Sequence, residues 1–383
     1  MPWKETHVID QKIKMISDWL SGEYSITDLS RIFEVSRKTL YKWINRYETD
    51  EYSGLQERSR KPVTMPRATP PDVVAHILAS KTQHVHWGSR KVLAWLRNHY
   101  PDQTWPAAST TSEIFKRHGL VKSRRRHHHT PPYTEPFLHC NQPNEVWCAD
   151  FKGQFRLGEG KLCYPLTLSD SYSRYLLGCW GLVHPTYVQT RLHLEMAFRE
   201  FGLPSAIRTD NGVPFASVAL GGLSSLAVWL IKLGIRPERI EKSHPEQNGR
   251  HERMHRTLKA EAISPPRKSF AEQQRAFNRF RDGYNYDRPH EALGQKTPGA
   301  IYRKSSRAYP ARLPEVTYEG NVTVRQVKAN GSIKWKNNEL YLSGALAGEP
   351  VGLKQIDSEA WQIYFSFHPL GILNERTQKI ISE

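Results

Sequence analysis

Cysteine is scarce in this sequence, and the spacing of the few cysteines excludes two common roles. The 383 residues include four, Cys140, Cys148, Cys163 and Cys179, with no C-x-x-C pair and no regular spacing. Close pairs are typical of zinc modules, and regular spacing is typical of disulfide frameworks. The pattern therefore argues against a zinc module and indicates a reducing compartment.

Long apolar segments are also missing. No stretch approaches the ~18 apolar residues that a membrane-spanning helix needs, and the N-terminal MPWKETHVID has no apolar signal region. We therefore expect a cytoplasmic protein without a membrane partner. It would share its compartment with a prokaryotic chromosome and associate with the nucleoid.

Acidic residues are outnumbered by basic ones. The sequence has 38 Asp and Glu against 55 Lys and Arg, a formal net charge of +17. The excess is +8 in residues 1–135, +6 in 136–300 and +3 in 301–383. An excess spread in this way suits a polyanion contacted by several parts of the molecule, and nucleic acid is the commonest polyanion. A basic but otherwise ordinary protein is the alternative that charge leaves open.

The patterning predicts an α+β multidomain chain. Hydrophobic residues make up 38% of it, enough to build cores in two or three domains. Five segments are distinguished: a helix-turn-helix unit at 1–60, a second helical unit at 72–120, a basic linker at 121–139, a mixed α/β domain at 140–305 and a small all-β, barrel-like module at 316–383.

The first segment has the pattern of a DNA-binding helix-turn-helix. Ser25 and Asp28 match a capping box before a short helix, and a longer helix is predicted from about Arg37 to Glu48. Its apolar residues face inward, which leaves a polar face suited to phosphates and base edges. That face holds Arg37, Lys38, Tyr41, Lys42 and Asn45. The alternative is a trihelical packing unit with a solvated basic face.

The second helical unit repeats the pattern more weakly. Its exposed cations are predicted to be Arg90, Lys91, Lys116 and Arg117. Two interpretations of this unit remain open: a second DNA-reading unit and a structural spacer. In the linker that follows, a flexible arginine run is predicted to contact the DNA backbone or the minor groove. The run consists of Arg124, Arg125 and Arg126.

Two aspartates stand out in the mixed α/β domain. Asp150 lies in the apolar strand-like stretch VWCADF, where an unpaired carboxylate is costly and a divalent cation would neutralise it. Asp210 ends a strand-like stretch and precedes the turn-forming Asn211-Gly212. Ligand sites gather at the carboxyl ends of strands. An arginine partner for Asp150 and a plain turn at Asp210 are the alternatives.

A glutamate follows on a predicted helix. Glu252, His255, Arg256 and Lys259 are spaced so that they share one helical face. A carboxylate beside cations suits a site that holds both a metal ion and a phosphodiester, and a solvated, salt-bridged helix is the alternative. Together, the three acids could converge on two Mg²⁺ or Mn²⁺ ions about 4 Å apart.

The ordered motifs resemble those of the integrase-type DDE transposases of bacterial insertion sequences, relatives of the retroviral integrases. The resemblance covers about residues 10–305. The matching stretches are GLQERSRKP, the W-x-x-D of Trp147 to Asp150, the TDNG of Thr209 to Gly212, P-x-x-N-G-x-x-E-R at Pro245 to Arg253, and YNYDRPHEALGQKTPGAIY from Tyr284 to Tyr302.

The resemblance implies an RNase H-like core and a transposase. The core would have strands near 145–152, 162–169 and 174–182, then a helix at 187–201. Asp150, Asp210 and Glu252 would hold metal, while Asn248, Arg256 and Lys259 would touch the DNA end. The implied reaction is metal-dependent cleavage at the terminal inverted repeats, followed by attack of the 3′-hydroxyl on target DNA. A homo-oligomeric synaptic complex is expected.

The sequence departs from the family pattern in two places. The spacing between Asp210 and Glu252 is several residues longer than usual, and we assign the extra length to the loop and apolar helix ASVALGGLSSLAVWLIKLG. The His/Cys zinc module of retroviral integrases has no counterpart, and the helix-turn-helix takes its place.

Two alternative functions remain open from sequence. One is a host-adopted DNA-binding regulator derived from a transposase, and the other is an RNase H-like nuclease. The β-module, for its part, suits DNA binding, subunit bridging or passive packing.

Overall fold

The computed structural model describes residues 7–58, 68–121, 140–210, 212, 214–215, 220–240 and 249–381. Contacts divide the chain into two compact units, Met1–Thr69 and Pro70–Glu383. Among the described residues, no helix is both long and apolar enough to cross a bilayer.

The first unit is a three-helix domain. Its helices are α1 (Val8–Leu20), α2 (Ile26–Ile32) and α3 (Arg37–Gly54). The predicted capping box is present, since Ser25 accepts from the Asp28 N–H and Asp28 accepts from the Ser25 N–H. Helix α3 continues past the predicted end at Glu48. The core consists of Met15, Ile16, Leu29, Leu40, Trp43, Ile44 and Leu55.

The second unit begins with another helical trio, α4 (Pro71–Gln83), α5 (Ser89–His99) and α6 (Ala108–Arg117). These helices have their own apolar core, yet α5 is also bonded to a distant segment of the chain. The Trp95 indole N–H donates to Asp287 at 2.5 Å, and Arg90 pairs with Glu291 at 2.6 Å. The trio is therefore docked on the tail of the mixed α/β domain.

The mixed α/β domain has a five-strand sheet as its centre. The strands are β1 (Val146–Phe151), β3 (Leu162–Asp170), β4 (Leu176–Leu182), β5 (Ala206–Thr209) and β6 (Arg236–Arg239), and the two-residue β2 (Phe155–Arg156) pairs with β3. The order across the sheet is β4-β3-β1-β5-β6. β1, β3 and β4 run antiparallel, whereas β1, β5 and β6 run parallel. The predicted strands and their order along the chain are present.

Helices pack against this sheet. They are α7 (Tyr187–Phe201), α8 (Ser225–Lys232), α9 (Gly249–Leu258), α10 (Phe270–Asp282) and the short α11 (Pro298–Ile301), with π-helical turns at Lys259–Ile263 and Gly283–Asp287. The main core includes Trp147, Leu166, Phe198, Ile207 and Trp229. The predicted helix at 187–201 is α7.

The C-terminal module is an antiparallel sheet with an added hairpin. The sheet strands are β7 (Thr323–Gln326), β10 (Pro350–Asp357), β11 (Ala360–Phe365), β12 (His368–Asn374) and β13 (Lys379–Ile381), and the hairpin strands are β8 (Ser332–Trp335) and β9 (Asn338–Tyr341). The order is β13-β12-β11-β10-β7. Because β7 and β13 do not pair in the described part of the chain, the barrel-like closure is not confirmed.

Helix α8 explains the apolar stretch in the long spacer before Glu252. Leu226, Trp229 and Leu230 lie in the core of the α/β domain, while Val228 and Ile231 lie in the core of the β-module. A helix that is apolar all round is one that is buried all round. Helix α8 therefore contributes side chains to both cores, and the β-module is packed on the α/β domain.

Candidate active site

Asp150 is in β1, and Asp210 directly follows the neighbouring strand β5. Strands β1 and β5 pair in parallel from Val146↔Ala206 to Ala149↔Thr209, so the pairing ends one residue before each aspartate. Adjacent strands are about 4.8 Å apart. Both aspartates are half-buried. The Gly212 N–H donates to Asp210 Oδ1 at 3.1 Å, which orients that carboxylate in the turn.

Helix α9 covers this end of the sheet with one buried face. That face consists of His251, Met254, His255 and Leu258. Glu252 is exposed and lies three residues before His255, about 60° around the helix. Glu252 is thus on the flank of the face that carries His255 towards the strands.

The two histidines form a buried polar network with β3. Thr167, which is paired with Asp150 across the β1–β3 ladder, donates its hydroxyl to the Asp150 carbonyl oxygen at 3.1 Å. The hydroxyl oxygen of Thr167 also lies 2.7 Å from Nε2 of His251 and 2.7 Å from Nε2 of His255. His251 Nδ1 is 3.0 Å from the Ser169 hydroxyl, and His255 Nδ1 is 3.7 Å from Asp150 Oδ2.

Burial keeps both imidazoles neutral. It lowers the pKa of His251 to about 3. The pKa of His255 falls to about 2, mainly through burial and then through the positive charge of Lys152. The pair His255–Asp150 is therefore a neutral ring beside a carboxylate, and a charged ion pair is not formed near neutral pH.

The donor set at this position suits a divalent cation. Within the described ranges, the ligand atoms of Asp150, His251 and His255 lie within 4.8 Å of one another. Asp210 and Glu252 are outside that group. The structure thus brings Asp150 beside His255 through α9, and the pairing of β1 with β5 ends one residue before Asp150 and Asp210.

The predicted DNA-contacting residues have different outcomes. The five on α3, namely Arg37, Lys38, Tyr41, Lys42 and Asn45, are all exposed. Arg256 and Lys259 are exposed on α9 and the turn after it. Asn248 and the arginines at 124–126 lie outside the described residues.

Sequence reasoning missed His251 and Thr167, and it grouped His255 with Glu252, Arg256 and Lys259 on one helical face. His255 is buried, whereas the other three are exposed. Histidines at i and i+4 share a helical face, and such a pair is a recognised metal-ligand spacing. That signal was present in RHERMH. Thr167 carried no signal, because only the register of β1 and β3 brings it to the histidines.

Comparisons with known proteins identify the domains. Two models described as "Integrase core domain" match residues 140–245 and 233–298. A homeodomain-like model matches 39–115, and a helix-turn-helix model matches 11–62.

Two relatives come from bacterial insertion elements. The uncharacterized 31.7 kDa protein of IS407 from Burkholderia multivorans is 28% identical over 213 residues, covering 53% of this chain and 72% of that protein. The uncharacterized 39.2 kDa protein of IS476 from Xanthomonas euvesicatoria is 24% identical over 285 residues, covering 73% and 78%.

Among solved structures, the simian T-cell lymphotropic virus intasome with PP2A regulatory subunit B56 gamma is 18% identical, with a TM-score of 0.38, covering 79% of this chain and 98% of that one.

The family models and the relatives agree. The chain has an integrase core domain behind helix-turn-helix domains and relatives in insertion elements, consistent with an insertion-sequence transposase of the DDE/integrase superfamily.

Proposed function

We propose that this protein cleaves DNA at the terminal inverted repeats of its element and joins the freed 3′-hydroxyl to target DNA. The observation that carries the proposal is the parallel pairing of β1 and β5 up to Ala149↔Thr209, one residue before Asp150 and Asp210, beneath the helix that bears Glu252. Integrase-core matches over the same residues support it.

The three acids would hold two divalent ions, Mg²⁺ or Mn²⁺. When bound, such ions supply an activated oxygen nucleophile and neutralise the charge on the leaving oxygen. Strands β1 and β5 hold the two aspartates on a rigid base, and the Gly212 N–H orients Asp210. Glu252 would reach the same position from α9.

The DNA would be held by positive and polar side chains on both sides of the acids. Arg256 and Lys259 are exposed close to Glu252 in sequence, where they would contact phosphates of the element end. Asn248 is proposed for the same role. The arginines at 124–126 would contact the DNA backbone between the helical units and the core.

Each segment of the chain would have one task. The helix-turn-helix at 1–60 and the helical unit at 72–120 would bind the terminal repeat, with 121–139 as a basic linker. The core at 140–305 would carry out the chemistry, and the module at 316–383 would stabilise it. Because each of two ends needs an active site, a homo-oligomer would form on DNA, at the nucleoid of a prokaryotic cell.

The test is cleavage and joining by the purified full-length protein on DNA that carries the element ends. Asp150→Asn, Asp210→Asn and Glu252→Gln should each abolish both steps while end binding stays near the wild-type level. Glu200→Gln, an exposed acid on α7, is the control and should behave as wild type. Removing divalent ions with a chelator should stop the wild-type reaction.

Two outcomes would contradict the proposal. Substantial activity in any one of the three variants would remove that acid from the metal site. Tight end binding by the wild-type protein with neither cleavage nor joining in Mg²⁺ or Mn²⁺ would instead favour a DNA-binding regulator.

A further inference from the structure

The hydrogen bonds around Thr167 decide which nitrogens of the two histidines carry protons. The Thr167 hydroxyl has one proton and three neighbours: the Asp150 carbonyl oxygen and the two imidazole Nε2 atoms. The hydroxyl donates its proton to the Asp150 carbonyl oxygen, which can only accept. Both imidazoles must then donate Nε2–H to the Thr167 oxygen, which leaves a lone pair on each Nδ1.

The two Nδ1 atoms have different neighbours. His251 Nδ1 lies 3.0 Å from the Ser169 hydroxyl, which can donate to it. His255 Nδ1 faces Asp150 Oδ2 at 3.7 Å, a distance beyond hydrogen bonding and between two groups that both accept. His251 is thus satisfied by protein groups, whereas the lone pair of His255 is directed at a carboxylate.

Two acceptors at this spacing can share a cation. Donors bound to one ion at about 2.1 Å each lie about 3.0 to 3.4 Å apart for octahedral or tetrahedral angles, so His255 Nδ1 and Asp150 Oδ2 would have to approach by about 0.3 to 0.7 Å. A metal-binding histidine almost always donates its other ring N–H to a neighbouring acceptor, which fixes the ring. Thr167 occupies that place beside His255.

We propose that His255 Nδ1 is a ligand of the ion held by Asp150, so that the site has mixed nitrogen and oxygen donors. Thr167 is the positioning residue that orients the ring. Mg²⁺ is a hard cation that takes oxygen ligands, whereas Mn²⁺ belongs to the first-row series that binds mixed nitrogen and oxygen sites. The site should therefore favour Mn²⁺ over Mg²⁺ more strongly than three acids alone would. The inference rests on the proposed metal site at Asp150.

The direct test is pulsed electron paramagnetic resonance of Mn²⁺ added to the full-length protein without DNA. A nitrogen coupling from a directly bound imidazole is expected in the wild type. His255→Asn should abolish that coupling and lower the preference for Mn²⁺ over Mg²⁺ in calorimetric titrations. His251→Asn is the matched control, since its ring is held between Thr167 and Ser169, and it should keep the coupling.

The variant Thr167→Val tests the positioning role, because it removes the hydroxyl and keeps the shape. It should weaken Mn²⁺ binding by about 10- to 100-fold, as is usual when an outer partner of a ligand is lost, while the nitrogen coupling persists. Unchanged Mn²⁺ affinity in this variant would overturn the role of Thr167.

The outcomes separate this inference from the proposed function. Mn²⁺ binding that depends on Asp150 but shows no nitrogen coupling in the wild type overturns the histidine ligand and leaves the acid site intact. This measurement needs no variant of a buried histidine. Mn²⁺ affinity that is the same in the wild type and in Asp150→Asn overturns the metal site itself.

Discussion

The two helical units each have three helices and differ in what holds them together. In the first, α2 and α3 begin at serines whose side chains cap the helix, Ser25 and Ser36. In the second, none of α4, α5 and α6 has a side-chain cap. Instead, α5 is bonded to the α/β domain through Trp95 and Arg90.

The difference shows two ways to stabilise a small helical domain. Side-chain caps satisfy backbone N–H groups locally, so a trio with two capped helices and its own core can be a separate compact unit. A trio without caps depends more on packing against its neighbours. The contacts follow this division, since Met1–Thr69 is one unit and α4 to α6 belong to the other.

The largest expected effect comes from matched core truncations. Leu40 and Leu96 are both fully buried, one in each trio. Leu40→Ala and Leu96→Ala should each cost about 3 kcal/mol of unfolding free energy. In calorimetry, Leu40→Ala should shift only the transition of the first unit, and Leu96→Ala only that of the larger unit. Leu20→Ala, at a residue 58% exposed, is the control. A single transition shifted by both variants would contradict the division.

Next in size is the loss of the docking bond. Trp95→Phe removes the N–H that donates to Asp287 and should lower the stability of the larger unit by about 1.5 kcal/mol. Trp105→Phe is the control, because its indole donates within the trio, to the Tyr100 carbonyl at 3.3 Å. Equal losses of unfolding free energy in the two variants, measured by chemical denaturation, would mean that the Trp95–Asp287 bond does not stabilise the larger unit.

A smaller effect is expected at the cap of α2. Ser25→Ala removes the acceptor for the Asp28 N–H and should cost about 1 kcal/mol, in the transition of the first unit alone. Thermal unfolding followed by circular dichroism would detect it. Ser17→Ala, at an exposed residue inside α1, is the control and should not lower that transition.

The smallest effects concern DNA binding. Lys42 is exposed on α3, and Lys116 is exposed on α6. Lys42→Ala should reduce the salt slope of end binding by about 0.9 if it contacts a phosphate. Lys116→Ala should do the same only if the second trio also binds DNA. Fluorescence anisotropy at several salt concentrations measures both. An unchanged slope for Lys42→Ala would assign α3 to packing.

Much of the core could be predicted because its signals are local. The stretch around Asp150 is apolar enough to be a strand, and Asp210 is followed by residues that force a turn. The capping box at Ser25 needs only four residues. The burial of His255 was not predicted, because which face of α9 turns inward depends on the sheet beneath it.

The sequence by itself determined the order of elements and the positions of the three acids along the chain, since periodicity, turns and capping act over a few residues. The tertiary structure alone decided three things: that Thr167 joins His251 and His255 beside Asp150, that α8 lies between two cores, and that the second trio docks through Trp95. Each of these three arrangements joins residues that are more than a hundred positions apart in sequence or that lie in several separate elements. Strand register and packing, which no short stretch of sequence encodes, bring them together.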